Sequence, residues 1–195
     1  MNTASAIIIL AAGSSSRLGL PKQLLQLRGK SLLRHAAETA LAARPSEVLA
    51  VLGFESDRMK HELDDLPVQI VFNHRWIEGI ASSIREGLSR LPADIETALI
   101  FLCDQPFVTS DHLSHLMEAC TNQKPIIATG YESTAGVPAC YHRQVFPELL
   151  TLTGDHGAKR IIDLDPERVT AIPFDAATLD IDTMDDYRKF VKSVR

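Results

Sequence analysis

Short apolar runs alternate with longer amphipathic segments along most of the chain. Unbroken runs rich in Val, Ile and Leu are typical of strands buried on both faces of a parallel sheet, whereas apolar positions three or four residues apart indicate helices. The pattern predicts strands at Ala6–Ala12, Glu47–Leu52, Val68–Phe72 and Ala98–Leu102. It predicts helices at Ser31–Ala43, Ser56–Asp64, Ser82–Leu91 and Ser110–Ala119.

The order of these elements predicts the fold class. Repeated alternation of strand and helix is typical of a three-layer α/β/α, Rossmann-like architecture with a mostly parallel central sheet. After Lys124 the pattern is less regular. It predicts strands at Pro125–Thr129, Val137–Tyr141 and Val169–Ile172, and helices at Gly157–Leu164 and Met184–Val194. No repeat or linker interrupts the chain, so we expect one domain over residues 1–195.

Composition narrows the classes of protein that fit. With 195 residues, 45% hydrophobic and 23% charged, the chain has an ordinary globular composition. A net charge of −5 argues against nucleic-acid or anionic-membrane binding, because both need a basic surface. The longest apolar run, Ala6–Ala12, is far shorter than the roughly 20 residues that span a bilayer, and no Lys or Arg precedes it. The three cysteines lack CxxC spacing, so we expect reduced thiols in a cytoplasmic protein.

Ligands of open parallel sheets bind beyond the carboxyl ends of the strands, so the loops there are the candidate site. The first loop, Gly13–Lys22, combines small residues with Arg17 and Lys22. Small residues let backbone N–H groups reach phosphate oxygens, Arg binds phosphate through a bidentate fork, and Lys acts as a point charge. The pattern favours a triphosphate site over a solvated turn, and it matches neither a P-loop nor GxGxxG. The other three loops are Asn73–Ser83, Cys103–Thr109 and Gly130–Gly136.

Polar residues of the later loops suggest further roles. Ser82 and Ser83 stand at a predicted helix start, where they either cap the helix or hydrogen-bond a base or ribose. Asp104 follows a buried strand, where a carboxylate is costly unless it is compensated. Mg²⁺ would compensate it, since this ion takes one or two carboxylates together with phosphate oxygens; the alternative is an ordinary loop aspartate. Asp180 and Asp182 would share one side of a strand.

Several of these segments resemble motifs of one family. LAAGSSSRLGLPK at 10–22 resembles the LAAGxSxRMGxxK signature of the molybdenum cofactor nucleotidyltransferases, which are MobA-like NTP transferases of the nucleotide-diphospho-sugar transferase superfamily. Residues 76–88 resemble WxxGMSSSLRxGL, residues 104–106 match DQP, and residues 179–187 resemble DIDTPEDL. Residues 136–138 and 154–159 resemble GxP and GDxGAR, with Lys159 in place of arginine. The resemblance runs from Ile8 to about Tyr187, with the motifs in family order.

The resemblance implies a reaction and a role for each motif. It implies transfer of CMP from CTP to the terminal phosphate of Mo-molybdopterin, giving molybdopterin cytosine dinucleotide and pyrophosphate, with a molybdoenzyme as a possible client. The implied catalytic residues are Lys22, Arg17 and Asp104. Mg²⁺ is implied as the cofactor, held by Asp104 and Asp182 with Asp180 as a weaker third ligand. The implied nucleotide contacts are Leu10, Ala11, Ala12, Gly13, Ser14, Ser15, Arg17, Lys22, Gly79, Ser82 and Ser83. The implied acceptor contacts are Gly136, Pro138, Gly154, Asp155 and Gly157.

Three alternatives remain open at this point. The first is the same chemistry with GTP, or with a sugar or alditol phosphate; the Ala11-Ala12 pair and the DQP motif favour CTP. The second is a nucleotide-dependent oxidoreductase, although the chain has no GxGxxG. The third is a non-catalytic protein that hands molybdenum cofactor to a client. The histidines suggest no metal site, and His112 and His115 are predicted to lie on a solvated helix face.

Overall fold

The computed structural model describes residues 4–15, 19–131, 134–174 and 187–188. The strands are β1 (Ser5–Ala11), β2 (Gln26–Leu27), β3 (Lys30–Ser31), β4 (Glu47–Leu52), β5 (Gln69–Phe72), β6 (Thr97–Leu102), β7 (Ile126–Tyr131), β8 (Thr134–His142) and β9 (Val169–Pro173). The α-helices are α1 (Leu32–Ala42), α2 (Ser56–His61), α3 (Ile80–Ser89), α4 (Ser110–Ala119), α5 (Phe146–Leu150) and α6 (Lys159–Leu164).

A seven-stranded sheet in the order β5-β4-β1-β6-β8-β7-β9 forms the middle of the molecule. β5, β4, β1 and β6 run parallel to one another, and β9 runs parallel to β7. β8 is antiparallel to both of its neighbours, β6 and β7. The sheet is therefore mostly parallel, as predicted.

Helices cover both faces of the sheet because successive residues of a strand point to opposite sides. Ile7 and Ile9 of β1 belong to the core beneath α1, α2 and α4. Ile8 and Leu10 belong to the other core, beneath α3, α5 and α6. α3 lies so close to β1 that a Cβ at Gly87 would stand 2.7 Å from Ile8 Cγ2. This arrangement confirms the predicted three-layer α/β/α class.

Side-chain caps set the start of two helices. The Ser31 hydroxyl accepts a hydrogen bond from Arg34 N at 3.2 Å, which confirms the predicted cap of α1. α4 is capped by Thr109, which accepts from His112 N at 3.2 Å. α3 begins at Ile80, two residues before the predicted start, so Ser82 and Ser83 lie inside its first turn rather than at its cap.

The structure departs from the sequence pattern mainly in the second half of the chain. β8 is longer than the predicted strand and runs antiparallel, and α5 was not predicted. The β2–β3 hairpin is too short to show the alternation of apolar and polar residues that predicts a strand. The predicted helix Met184–Val194 lies outside the described residues except for residues 187 and 188. Within the described ranges, no helix has both the length and the apolar character needed to cross a membrane.

Candidate functional site

A cavity of about 670 Å³ opens beyond the carboxyl ends of β1 and β6. Eleven of the predicted site residues line it: Leu10, Ala11, Ala12, Gly13, Ser14, Ser15, Lys22, Gly79, Ser83, Asp104 and Asp155. Six further lining residues were not predicted: Gln23, Trp76, Ile77, Ile80, Leu102 and Cys103. Arg17, Asp180 and Asp182 lie outside the residues that the structure describes. The volume falls within the roughly 300–1,000 Å³ usual for small-molecule sites.

A buried glutamine anchors the first loop against the end of β1. Gln23 is 1% exposed, and its Nε2 donates to Ala11 O at 3.0 Å and to Gly13 O at 2.7 Å. Its Oε1 accepts from the Ser15 hydroxyl at 3.3 Å, and the same hydroxyl accepts from Lys22 N at 3.1 Å. The loop is thereby folded back over the strand end, and the backbone of Lys22 is held at the cavity.

The loop also adopts one unusual backbone conformation. Ser15 has a φ of 54°, in the left-handed region that side chains other than glycine enter infrequently. The two hydrogen bonds of the Ser15 hydroxyl accompany this conformation. Local strain of this kind persists where surrounding contacts over-determine the backbone, and such positions cluster at functional sites.

An ion pair joins the two loops across the cavity. Lys22 Nζ contacts Asp104 Oδ2, with the lysine side chain 23% exposed and the aspartate side chain 7% exposed. The carboxylate at the end of β6 is therefore compensated by a cation from another loop, as its burial requires.

The thiol of Cys103, the residue before Asp104, is uncharged. Burial, and secondarily the charge of Asp104, raise the pKa of Cys103 to about 12. The thiol is therefore protonated at neutral pH, and a protonated thiol is a poor nucleophile.

The second loop is organised by Asn73, which is 3% exposed. Its Nδ2 donates to the hydroxyls of Ser82 at 2.8 Å and Ser83 at 2.9 Å, and its Oδ1 accepts from Arg75 N at 2.9 Å. The Ser82 hydroxyl also bonds Gly79 O at 2.8 Å, so this serine closes the turn. Ser83 lines the cavity, whereas Ser82 is not among the lining residues, so only one of the two predicted serines faces the site.

Two of the predicted acceptor residues pack directly against this loop. Gly79 has a φ of 97°, and a Cβ there would lie 2.4 Å from Gly154 O and 2.6 Å from Asp155 Oδ1. Ala81 N donates to Gly154 O at 3.1 Å. Gly79 therefore needs to be glycine both for its φ and for this close approach, which brings Asp155 into the cavity. Gly157 lies nearby, against Ile80.

The other predicted acceptor residues, Gly136 and Pro138, lie on β8 and are not among the lining residues. β8 separates β6 from β7, so the expected fourth loop, after β7, is two strands away from Asp104. Gln105 connects the two regions, since its Nε2 donates to Val137 O at 3.1 Å.

A buried histidine supports the same part of β8. The Thr129 hydroxyl donates to Pro138 O at 2.6 Å and lies 2.8 Å from His112 Nε2. Because the hydroxyl has one proton, it accepts from His112, and Nε2 carries the hydrogen. His112 is 4% exposed and stacks on Phe174, with ring centroids 4.2 Å apart. The prediction of a solvated face is therefore wrong for His112, because partners from β7 and from residue 174 cover it; His115 is exposed.

The side chains that line the cavity supply part of the oxygen ligand set of a hard cation. Asp104 and Asp155 both offer carboxylate oxygens to the cavity. Among the described residues, no group of three or more His, Cys, Asp or Glu side chains could hold a metal ion alone. A Mg²⁺ ion that takes one or two carboxylates and completes its shell from phosphates and water fits this donor set.

Comparisons with known proteins agree with this geometry. The sequence matches the MobA-like NTP transferase domain over residues 7–171. Nicotine blue oxidoreductase of Paenarthrobacter nicotinovorans is 30% identical over 191 residues, which cover 91% of this chain and 92% of that protein.

Solved structures extend the similarity to three dimensions. The homologue of Mycobacterium tuberculosis Rv0371c from Mycobacterium sp. strain JC1 has a TM-score of 0.87 at 30% identity, over 100% of this chain and 98% of that one. Rv0371c of Mycobacterium tuberculosis H37Rv, in complex with manganese, has a TM-score of 0.80 at 27% identity, over 98% of this chain and 100% of that one.

Replacing the anchoring glutamine tests the account of the first loop. Gln23→Leu keeps the volume but leaves the carbonyls of Ala11 and Gly13 without their donor, so we expect the free energy of unfolding to fall by about 1–3 kcal/mol. Gln26→Leu is the matched control, because Gln26 is an exposed glutamine on the neighbouring strand β2, and we expect a change within about 0.5 kcal/mol. Urea denaturation measures both; equal effects of the two substitutions would contradict the anchoring role.

The buried histidine predicts a pH dependence of stability. Burial, and secondarily His115, lower the pKa of His112 from 6.5 to about 4. Between these values the unfolded chain binds a proton that the folded chain does not, so stability is complete above about 6.5 and is lost as the pH falls towards 4.

The variant His112→Gln isolates this effect, since it can still donate to Thr129 but does not titrate. We expect wild type to lose on the order of 1–2 kcal/mol relative to the variant as the pH is lowered through that window. Urea denaturation of both proteins across the window measures the difference. A difference that stays constant with pH would exclude His112 as the titrating group.

Proposed function

We propose that this chain, which belongs to the MobA-like NTP transferase family, transfers CMP from CTP to the terminal phosphate of Mo-molybdopterin. The products are molybdopterin cytosine dinucleotide and pyrophosphate. The observation that carries the proposal is the Lys22–Asp104 pair in a cavity whose other wall is the small-residue loop after β1. A cation, a carboxylate and a close-approaching backbone are what binding of a metal-bound triphosphate requires.

The first loop supplies the phosphate contacts in this proposal. Ala11, Ala12, Gly13 and Ser14 line the cavity and carry short side chains, so phosphate oxygens can approach the backbone. Arg17 and the loop N–H groups would hold the β- and γ-phosphates, and Lys22 the α-phosphate. The choice of CTP rests on the resemblance of the Ala11-Ala12 pair and the DQP motif to cytidylyltransferases.

The reaction needs charge neutralisation more than proton transfer. A phosphate monoester is largely ionised at neutral pH, with a second pKa near 6, so its oxygen attacks without a general base. One bond forms between this oxygen and the α-phosphorus, and the bond from the α-phosphorus to the pyrophosphate oxygen breaks. Lys22 would stabilise the charge that builds on the α-phosphate, and the anchored loop would keep the leaving group in line.

Asp104 would hold Mg²⁺ together with Asp182, with Asp180 as a weaker third ligand. When bound, the ion would supply Lewis-acid neutralisation of the phosphate oxygens. The manganese complex of Rv0371c supports a divalent ion in a related protein. The described donors fit such an ion, since Asp104 and Asp155 both offer carboxylate oxygens to the cavity.

The acceptor would enter from the side of Gly154, Asp155 and Gly157, with Gly136 and Pro138 further along β8. Ile77 supports an acceptor with a flat ring system whose face can pack on an aliphatic side chain. It lines the cavity and is 80% exposed, so it contributes little to the core and offers an aliphatic surface to a ligand.

A second candidate is a nucleotide-dependent oxidoreductase. The observation in its favour is the 30% identity to nicotine blue oxidoreductase, which extends over 91% of this chain. Against it, the chain has no GxGxxG fingerprint, and hydride transfer gives no role to a carboxylate paired with a lysine in the cavity. The third alternative, a non-catalytic cofactor carrier, gives no reason for a partly buried Lys22–Asp104 pair in the cavity.

Release of pyrophosphate from each of CTP, GTP, ATP and UTP, with Mg²⁺ and Mo-molybdopterin, tests the nucleotide and the acceptor together. We expect release with CTP alone. Release with GTP alone would replace the cytidylyl assignment by guanylyl transfer. If pyrophosphate is released from CTP only when a sugar or alditol phosphate replaces Mo-molybdopterin, the proposal that Mo-molybdopterin is the acceptor is wrong.

Substitution of the paired residues tests their roles in the same assay. We expect Lys22→Met and Asp104→Asn each to lower kcat by about 10²–10³, as is usual when one charged group is removed from around a developing charge. Lys30→Met is the control, because Lys30 pairs with Glu38 on the surface, and it should leave turnover unchanged. Near-normal kcat in both site variants would contradict the catalytic roles proposed for these two residues.

The oxidoreductase candidate has its own test. Reduced nicotinamide nucleotides are incubated with the protein and nicotine blue, and the absorbance of the reduced nicotinamide is followed. The transferase proposal predicts no oxidation above the protein-free control. Oxidation that saturates with nucleotide concentration, without pyrophosphate release from any triphosphate, would favour the second candidate.

A further inference from the structure

β5 is the last strand on one side of the sheet, and its outer edge has no neighbouring strand among the residues that the structure describes. Asn73, directly after β5, donates from its backbone N to Leu52 O of β4 at 2.8 Å. Successive residues of a strand direct their N–H and C=O groups to opposite sides. Ile70 and Phe72 therefore direct theirs away from β4, to the open edge.

This edge has none of the features by which sheet edges usually avoid pairing. β5 (Gln69–Phe72) contains no proline and no charged residue, and its register with β4 has no bulge. The side chain of Phe72 is 40% exposed. A cavity of about 350 Å³ opens along the strand, lined by all of β5 and by Glu86 and Arg90 of α3. A regular, uncharged and open edge of this kind is a template for pairing with another strand.

The edge of β5 is complementary to a second copy of itself. In an antiparallel pair with a two-fold axis at Val71, Ile70 of each copy lies opposite Phe72 of the other. Because both residues direct their backbone groups outward, each such pair can exchange both of its N–H···O bonds. Ile70 and Phe72 also share one face of the sheet, so the exposed ring packs on the branched side chain across the junction, which is a favourable cross-strand pair.

The charges along this edge are complementary to themselves as well. α3 begins beside the end of β5, where Asn73 bonds two serines of its first turn. It then runs back along the sheet, so that a Cβ at Gly87 would lie 3.2 Å from Val51 Cγ2, on the residue of β4 that pairs with Val71 in the middle of β5. Glu86 therefore lies near the middle of β5, and Arg90 lies nearer its start. The two-fold axis reverses this order in the second copy, so the acidic residue of each copy approaches the basic residue of the other.

We propose that the outer edge of β5 is a homodimer interface, at which two copies of this chain pair their β5 strands antiparallel and join their sheets. Two-fold dimers are the commonest assemblies of soluble proteins, and this pairing uses the same patch on both copies. The cavity at the ends of β1 and β6 and the one along β5 share none of their described lining residues. The interface therefore leaves the candidate site open, and the inference does not depend on the proposed function.

Sedimentation velocity at increasing protein concentrations measures the association directly. β5 has four residues, so the interface is small, and we expect a dimer with a Kd on the order of 1–100 µM. Phe72→Lys should raise this Kd at least about tenfold, because a charge replaces the ring that packs on Ile70. Leu164→Lys is the matched control, since it changes an exposed leucine of α6, on the other side of the sheet, and it should dimerise as wild type does.

Charge reversal tests the orientation of the two copies. Arg90→Glu makes both residues of the pair acidic and Glu86→Arg makes both basic, so each variant alone should dimerise at least about tenfold more weakly than wild type. An equimolar mixture of the two variants restores opposite charges across the junction. We expect the mixture to form a heterodimer with a Kd close to that of wild type, which loss of the contact between Arg90 and Glu86 within one chain does not predict.

Each result bears on the proposal. A wild type that stays monomeric throughout the concentration range would overturn it. Dimerisation that Phe72→Lys leaves unchanged would place the contact on another surface. A mixture of the charge variants no more associated than either alone would contradict the antiparallel arrangement. If a charge variant fails to fold by circular dichroism, Phe72→Lys and Leu164→Lys decide, because equal Kd values for these two would exclude pairing at β5.

Discussion

The parallel pairing of β1 with β6 at the middle of the sheet is the constraint on which the site depends. In this register Leu10 lies opposite Leu102, so the two strands end side by side. The loop that carries Lys22 and the residues that lead to Asp104 leave the sheet at the same edge. Burial of Ile7, Ile8 and Ile9 in the two cores keeps this register, because a slip by one residue would exchange the faces of every side chain. The ion pair across the cavity is thus a consequence of the sheet.

Sequence reasoning succeeded where the chemistry follows from strand order. Unbroken apolar runs predicted β1, β4 and β6, and the rule that ligands bind at strand ends predicted that Lys22 and Asp104 would face one cavity. It failed where a partner comes from a distant segment. Gln23 bonds two carbonyls 12 and 10 residues earlier, and no periodicity signals this. The sequence shows only a glutamine directly after the lysine that ends a small-residue loop, and its burial is visible only in the structure.

The second half of the chain was harder to predict for a physical reason. β8 contains Gly136 and Pro138, which weaken a strand pattern, and its antiparallel direction follows from its place between β6 and β7 rather than from its own residues. His112 illustrates the same limit. Its helix position suggested a solvated face, but Thr129 and Phe174 reach it from other elements. The metal ligand expected at Asp182 and the phosphate ligand expected at Arg17 lie outside the described residues and remain predictions.

The same architecture serves different reactions, so the assignment depends on the site. A protein 30% identical to this one is an oxidoreductase by name, whereas the matching domain is that of NTP transferases. The most direct measurement is a crystal structure of this protein with Mg²⁺ and CTP. The account predicts the triphosphate against the first loop, Lys22 Nζ on the α-phosphate and the Asp104 carboxylate on the metal. A nucleotide bound elsewhere, with the Lys22–Asp104 pair intact, would contradict it.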